Sequence, residues 1–346
     1  MSCITRTSVL ALWRKCALAL ILLGTSVSAM ADTYVAGQVL FSGKNVYGAS
    51  ILNDGGYHMW HSAWQVSSIP QQDIIYYRKS ADNINWSSPT TVYRTTDLEA
   101  SYPGITGKVT HVTDPSVTKH TNGVTGEVQY TMFFTVCMSK VAGSTCDAQK
   151  DNEIWSVVSN DGGKNWVLPK PLISGIPNVY ASEPSAIIDQ QSDGTFWKVY
   201  YDDRADSTKV RLVGVDGNRN VIRHYAPAIS TTITLANPEV RYFNGQWHLF
   251  ANVYGPGARD ASGTMYPTTA NIYKVSSPDN TNFPATAARP IIVNGGVPYC
   301  GTIAPGIQPV GGNQYDIYFG LISNSVPGQG CDMAANTYMV RYRFAE

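Results

Sequence analysis

The sequence predicts an all-β protein, a five-bladed β-propeller of four-stranded antiparallel blades. Three observations lead to this prediction. A pattern of apolar and aromatic strands recurs five times, and 30 glycines and 19 prolines among the 346 residues supply frequent turns. The spacing of hydrophobic residues that marks amphipathic helices is absent after the N-terminal segment. Radial repetition of short sheets is one way in which all-β proteins protect their sheet edges.

The composition is that of a folded protein with little net charge. Hydrophobic residues make up 43% of the chain and charged residues 14%, with 25 basic and 25 acidic side chains. The apolar share is sufficient for a core and argues against disorder. Because no basic excess is present, nucleic acid is not an expected partner.

The N-terminal segment has the features of a secretory signal peptide. Arg6, Arg14 and Lys15 precede a short apolar run at 16–23, and small residues at 29 and 31 form a cleavage motif. The run is shorter than the roughly 20 residues that span a bilayer, so we expect no membrane insertion after cleavage. We therefore predict a signal peptide at 1–31, one propeller domain at 32–346, and export to the periplasm or the medium.

The repeated unit consists of a short polar segment, an apolar strand, a turn and an aromatic-rich strand. Its clearest copy runs from 182–187 through Asp193 and Gly194 to 197–201. Five residues, here called the hub residues, occupy equivalent positions at the start of the copies: Gly48, Asp114, Glu183, Asn237 and Ala304. A β-sandwich of seven or nine strands would leave much of the chain unused.

A second element follows three of the copies and resembles the Asp-box of sialidases and other propellers. It contains Asp82, Asp161 and Asp279, each within a turn that follows an alternating strand. The resemblance implies a structural turn between the third and fourth strands of a blade, on the face away from the site. These aspartates are therefore not candidates for catalysis.

Propeller geometry brings two sets of residues to one face. The innermost strand of each blade starts on the ligand-binding face, and the loop from the second to the third strand returns to it. The hub residues and these loops should therefore surround one pocket. The loop candidates are His61, Trp64, the 137–146 segment, Asp202, Asp203, Arg204 and Arg259.

Four cysteines remain after the signal peptide, which indicates two disulfides in an exported chain. Four cysteines allow three pairings. The predicted blade register favours Cys137 with Cys146 and Cys300 with Cys331. The spacing fits no zinc motif.

Asp114 and Glu183 are the candidate catalytic pair, since equivalent positions of adjacent blades should point toward the same axis. Glycoside hydrolysis uses two carboxylates, one as acid and one as base or nucleophile. Crowding in a partly dry pocket would keep one of them protonated. The alternative is that each carboxylate only accepts backbone N–H groups where its strand begins.

The Asp114-Pro115 and Glu183-Pro184 pairs resemble the five-bladed propeller glycoside hydrolases. These include the arabinanase and β-xylosidase family and the invertase and levanase family. In the invertase-like family, a first-blade aspartate is the nucleophile, an Arg-Asp-Pro motif follows in the second blade, and the acid glutamate lies in the third. The resemblance implies Glu183 as general acid and Asp114 as base or transition-state stabiliser.

The sequence departs from that pattern at two places. Thr113 stands where the family has arginine, and the first blade offers Gly48 without a carboxylate. Asp54 belongs to a turn predicted on the opposite face. Either a loop supplies the third carboxylate, with Asp202 or Asp203 as candidates, or the site does not catalyse.

The leading hypothesis is an exported glycoside hydrolase that acts on a plant or microbial glycan. Its candidate catalytic residues are Asp114, Glu183 and Asp203, and its candidate substrate-binding residues are His61, Trp64, His111, Asp202, Arg204, Asn237 and Arg259. We expect a monomer with an oligo- or polysaccharide partner and no cofactor, although a central ion such as calcium is compatible with His111. The alternatives are a carbohydrate-binding propeller without turnover and, third, a sialidase-like enzyme.

Overall fold

The fold was analysed in a computed structural model. It describes residues 32–65, 72–105, 107–139, 146–147, 150–254, 258–259, 265–266, 270–292, 299–323 and 336–346. Residues Tyr34–Ala345 form one compact unit. Within the described ranges, no helix combines the length and the hydrophobicity needed to cross a membrane.

Strands dominate the structure, and they build the predicted five blades. Strand β1 (Thr33–Lys44) is followed by the first blade, β2 (Tyr47–Asn53), β3 (Tyr57–Trp64), β4 (Asp73–Ser80) and β5 (Thr90–Tyr93). The second blade contains β6 (Lys108–Thr121), β7 (Val128–Ser139), β8 (Asn152–Ser159) and β9 (Val167–Ile173). The third contains β10 (Ala181–Ile188), β11 (Trp197–Asp203), β12 (Lys209–Val215), β13 (Val221–His224) and the short β14 (Ile229–Ser230).

The fourth and fifth blades complete the ring. The fourth contains β15 (Thr234–Phe243), β16 (Gln246–Tyr254), β19 (Ala270–Ser277) and β20 (Arg289–Ile292), with the short pair β17 (Ala258–Arg259) and β18 (Met265–Tyr266) between them in sequence. The fifth contains β21 (Tyr299–Gly311), β22 (Gln314–Ser323) and β23 (Asn336–Ala345). A short helix α1 (Thr95–Ser101) follows β5, and a 3₁₀ turn (Ala285–Ala287) precedes β20.

The fifth blade takes its outer strand from the other end of the chain. Its strand order is β1-β23-β22-β21, so β1 lies at its outer edge. This pairing joins the N-terminal and C-terminal strands in one sheet and closes the ring. This pairing has no signal in the sequence, because the strand and its partner lie at opposite ends of the chain.

Every innermost strand carries the same irregularity at its hub residue. The pairing register shifts there in all five blades. The five hub residues also share left-handed backbone angles, with φ of 61° at Gly48, 52° at Asp114, 58° at Glu183, 50° at Asn237 and 52° at Ala304. A non-glycine residue in this region is uncommon and marks strain at a functional or structural site. The structure therefore confirms the predicted equivalence of these positions.

A row of serine hydrogen bonds joins the innermost strands of the first four blades. Oγ of Ser50, two residues after the first hub residue, accepts the Val117 amide at 2.9 Å. The equivalent serines of the next two blades accept the amides of Ala186 at 2.8 Å and Val240 at 2.9 Å. These bonds satisfy buried backbone groups that would otherwise lack a partner, and they fix the spacing of the blades around the axis.

The turns that contain Asp82, Asp161 and Asp279 connect blades away from the hub. Asp82 Oδ1 accepts the backbone amides of Ile84 and Asn85. In the second blade, the equivalent turn offers the Gly163 carbonyl to Nε1 of Trp60 in the first blade at 2.8 Å. None of the three aspartates lines the cavity described below.

This row of serine hydrogen bonds gives a stability prediction. Ser116→Ala removes the acceptor of the buried Ala186 amide, which should lower the free energy of unfolding by about 1–3 kcal/mol. Thermal or denaturant unfolding measures the change. Ser88→Ala, at an exposed position, is the control and should stay within about 0.5 kcal/mol of wild type. Equal stabilities of the two variants would contradict the prediction.

Candidate active site

A cavity of about 270 Å³ lies beside the hub and is lined mainly by the first three blades. A smaller space of about 30 Å³ lies among all five hub residues. The larger cavity is lined by Tyr47, Asp73, His111, Thr113, Asp114, Thr135, Cys137, Asn152, Glu183, Arg204, Asn237 and Ile303. An apolar cavity of about 440 Å³ between the third and fourth blades has no carboxylate in its lining. The cavity beside the hub is therefore the one equipped for acid–base chemistry.

Hydroxyl groups from the preceding blade hold the two predicted catalytic residues in place. The amide of Asp114 donates to Ser62 Oγ at 2.9 Å, and the amide of Glu183 donates to Thr135 Oγ1 at 2.7 Å. These bonds hold the backbone in the left-handed conformation that both residues adopt before proline. The predicted pair consequently lies at the lining of one cavity.

Both oxygens of Glu183 are engaged by donors. Oε1 forms an ion pair with Arg204, and Oε2 accepts the Asn237 amide at 2.6 Å. Nε of Arg204 also donates to Ser182 Oγ at 3.1 Å and lies 3.1 Å from Oδ2 of Asp202. Hydrogen bonds and a positive charge favour the ionised form of a carboxyl group. Glu183 is therefore the member of the pair whose two oxygens are both held by donors.

Asp114 has the opposite environment. Burial and the nearby charge of Glu183 raise the pKa of its carboxyl group well above the usual range, and they outweigh a hydrogen bond with the Thr135 side chain and the charge of Arg204, which lower it. Its Oδ1 is buried and has no hydrogen-bond partner among the described residues. The environment therefore favours a proton on Asp114, which is opposite to the assignment implied by the family resemblance.

Asp73 is a third acid in the cavity, and sequence reasoning missed it. Its Oδ1 accepts from Asn45 Nδ2 at 2.8 Å, and its Oδ2 lies 3.3 Å from Nδ1 of His111. Asp73 begins β4, directly after the loop from the second to the third strand of the first blade. Asp202 was predicted because loops from the second to the third strand return to the site. The same expectation applies to Asp73, at the far end of such a loop.

His61 and Trp64 are not brought to the cavity. His61 lies inside β3, is 1% exposed, and accepts from Arg78 Nε at 3.2 Å. Burial and the Arg78 charge lower its pKa to about 3, so this histidine is neutral. Its ring packs against Phe41 and Tyr76. Trp64 ends the same strand and does not line the cavity.

Asp203 is likewise not brought to the cavity. Its Oδ1 accepts the amides of Tyr180 and Ala205, and its Oδ2 lies 3.1 Å from Arg211. With 1% exposure and these partners, it stabilises the loop after β11. The expectation that Asp203 supplies a catalytic carboxylate is therefore not supported, whereas Arg204 does line the cavity.

The structure contains one of the two predicted disulfides. Cys137 is bonded to Cys146, and Cys137 lines the cavity. Cys331 and the side chains of Cys300 and Arg259 lie outside the described residues. In the described part of the chain, no group of three or more His, Cys, Asp or Glu side chains is arranged to hold a metal ion.

Comparison with known proteins gives matches at the level of structure. No family model and no curated protein matches the chain. The solved structures that it resembles include an exo-1,5-α-L-arabinanase from a bovine ruminal metagenomic library. That match has 12% identity and a TM-score of 0.57, and it covers 86% of this chain and 92% of that one.

Two further solved structures are similar. The GH43 endo-arabinanase from Bacillus licheniformis shares 15% identity with a TM-score of 0.56, covering 87% of this chain and 94% of that one. The xylan β-1,4-xylosidase from Bacillus halodurans C-125 shares 13% identity with a TM-score of 0.58, covering 86% of this chain and 52% of that one. At these identities the likeness establishes the fold, and this chain has the five-bladed propeller fold of these glycoside hydrolases.

Proposed function

We propose that this protein is a glycoside hydrolase whose active site is the cavity beside the hub. The observation that carries the proposal is the pair of Asp114 and Glu183, which lie in one cavity. The pKa of Asp114 is raised, and both oxygens of Glu183 are held by donors. A proton donor next to a carboxylate is the chemical requirement for cleaving a glycosidic bond. The fold shared with arabinanases and a xylosidase supports the same reaction class.

In this mechanism, Asp114 donates its proton to the glycosidic oxygen as the bond to the anomeric carbon breaks. Glu183 either removes a proton from the attacking water or attacks the anomeric carbon itself. Arg204 holds Glu183 in place before the reaction. Asp73 and His111 face the same cavity and are placed to bind sugar hydroxyls.

The charge of the cavity favours a neutral sugar. Asp73, Asp114 and Glu183 line it, and its one lining arginine, Arg204, is already bonded to Glu183 and paired with Asp202. The carboxylate of a uronic or sialic acid would meet these acidic side chains, and it would find no uncommitted guanidinium among the described residues that line the cavity. This argues for a neutral oligo- or polysaccharide and against the sialidase alternative.

A carbohydrate-binding propeller without turnover is the second candidate. It is favoured by the hub residues of the first, fourth and fifth blades, Gly48, Asn237 and Ala304, which carry no carboxylate. Both oxygens of Glu183 are also engaged in the resting structure. Such a protein would bind glycans in the same cavity and release no reducing ends.

The two candidates are separated by incubating the protein with arabino- and xylo-oligosaccharides and a fluorogenic sialoside. We expect reducing ends from a neutral oligosaccharide and none from the sialoside. The Asp114→Asn, Glu183→Gln double variant is the matched blank. Calorimetric binding without product after long incubation would support the binding protein instead, and sialoside cleavage would contradict the charge argument.

We also propose that the protein is exported after cleavage behind Ala31, on the strength of the signal-peptide features at 1–31. N-terminal sequencing of the protein recovered outside the cytoplasm should begin at Asp32. Recovery of the uncleaved chain in the cytoplasm would contradict this proposal.

A further inference from the structure

Four residues occupy the same register position on the second strands of the first four blades. Each pairs across the sheet with the residue that precedes the hub residue of its own blade. We call them the bridge residues: Ser62, Thr135, Asp202 and Asn252. Ser62, Thr135 and Asn252 share one contact, and Asp202 does not make it.

The shared contact is a hydrogen bond to the backbone of the next blade. Ser62 Oγ accepts the Asp114 amide at 2.9 Å, and Thr135 Oγ1 accepts the Glu183 amide at 2.7 Å. Asn252 Oδ1 accepts the Ala304 amide at 2.8 Å. In each case, a bridge residue holds the hub amide of the following blade.

The third blade breaks this pattern. By equivalence, Asp202 should accept the Asn237 amide, but that amide donates to Oε2 of Glu183 at 2.6 Å. Asp202 is 1% exposed, and neither of its oxygens accepts a hydrogen bond among the described residues. Among the described residues, its one ion-pair contact is with Nε of Arg204, 3.1 Å from Oδ2. A buried carboxyl group without hydrogen bonds is costly and normally serves a purpose.

We propose that Asp202 is a positioning residue for Glu183. Its carboxylate is the alternative acceptor of the Asn237 amide, and transfer of that hydrogen bond from Glu183 to Asp202 releases Oε2 of Glu183 into the cavity. The exchange restores at the third blade the contact that the other bridge residues make. It also frees an oxygen that Glu183 needs in order to act as base or nucleophile.

The electrostatics of the site allow both arrangements. Burial raises the pKa of Asp202 to about 8, Arg204 opposes the rise, and the charges of Glu183 and Asp203 add to it. A neutral Asp202 is a weak acceptor and leaves the Asn237 amide with Glu183. An ionised Asp202 competes for the amide, because charge-assisted hydrogen bonds are the stronger ones.

The exchange is tested without substrate by following the Asn237 amide resonance in selectively ¹⁵N-asparagine-labelled protein. In wild type we expect this resonance to shift with pH, with a midpoint near the pKa of about 8 that burial gives Asp202. The shift should be absent in Asp202→Ala. A resonance that does not move in wild type, or that moves equally in Asp202→Ala, would overturn the exchange.

The consequence for turnover rests on the proposed hydrolase function and is measured separately. Asp202→Ala should lower kcat by about tenfold or more with little change in KM, as expected when a hydrogen bond to a charged group can no longer be exchanged. Asp202→Asn, which supplies the acceptor that Asn252 uses in the fourth blade, should restore most of the rate.

Asn252→Ala is the matched control, because it removes a bridging bond to Ala304 that involves neither Glu183 nor the Asn237 amide. It should lower stability and leave the pH profile of kcat unchanged. Wild-type kcat in Asp202→Ala would overturn the role in turnover. If no glycan is hydrolysed at all, the proposed function is wrong. The pH titration of the Asn237 amide still tests the hydrogen-bond exchange in that case, because it needs no substrate.

Discussion

Asp114→Asn and Glu183→Gln are each expected to lower kcat for glycan hydrolysis by at least about a hundredfold, the usual contribution of a positioned acid or base. Both replacements keep the shape and the left-handed backbone position of the residue they replace. They remove the proton donor in one case and the carboxylate in the other. Initial rates of reducing-end release measure the effect, and circular dichroism checks the fold.

The two variants should respond differently to the leaving group. Asp114→Asn should recover much of its rate on an aryl glycoside with an acidic phenol, because such a leaving group departs without protonation. Glu183→Gln should not recover. The opposite response would restore the assignment of Glu183 as acid, and wild-type rates in both variants would end the catalytic role of this pair.

The double variant should be about as slow as the slower single variant, since residues that act as a unit give non-additive losses. Multiplied losses would indicate that the two carboxyl groups act in separate steps or sites.

The sequence predicted the hub well because the signal there is repetitive. Five copies of one pattern defined five equivalent positions, and the structure gives all five the same left-handed backbone. The acidic members, Asp114 and Glu183, consequently meet in one cavity. In a repeat protein, equivalent sequence positions occupy equivalent places in the structure, because each unit makes the same contacts with its neighbour.

The loop residues were harder to predict, because alternation along a strand decides which side chain faces the cavity. Asp202 and Asp203 are consecutive in β11 and therefore point to opposite faces of the sheet, and neither of them lines the cavity, whereas Arg204 does. His61 lies inside β3, not in the loop that follows. Asp73 was missed at the far end of that loop. An error of one or two residues in a strand boundary changes the assignment of such positions.

The protonation of the pair could not be predicted from the sequence. It depends on Arg204, whose guanidinium reaches Glu183 from the end of a neighbouring strand. It also depends on the absence of a hydrogen-bond partner at Asp114 Oδ1 among the described residues. These are long-range contacts with no local sequence signature. The pairing of β1 with β23 is unpredictable for the same reason.

Arg204→Met is expected to destabilise the protein by about 3–5 kcal/mol at neutral pH, the usual loss when a buried ion pair keeps only one partner. The substitution leaves Glu183, which is 8% exposed, and Asp202, which is 1% exposed, without their shared cation. Methionine retains much of the aliphatic volume, so the lost charge and hydrogen bonds dominate. Denaturant unfolding measures the loss.

The loss should depend on pH in a defined direction. Without the cation, a negative charge on these buried carboxyl groups costs more free energy in the folded state than in the unfolded state. The variant therefore loses stability as the pH rises above about 4, the usual pKa of an unfolded aspartate or glutamate, and approaches wild type below it. Arg223→Met is the control: its pairing with Asp193 at 2.8 Å is largely exposed and should be worth at most about 1 kcal/mol. If Arg204→Met were as stable as this control at pH 8, Arg204 would not be the group that stabilises the buried carboxylates, and the protonation assigned to the catalytic pair would lose its physical basis.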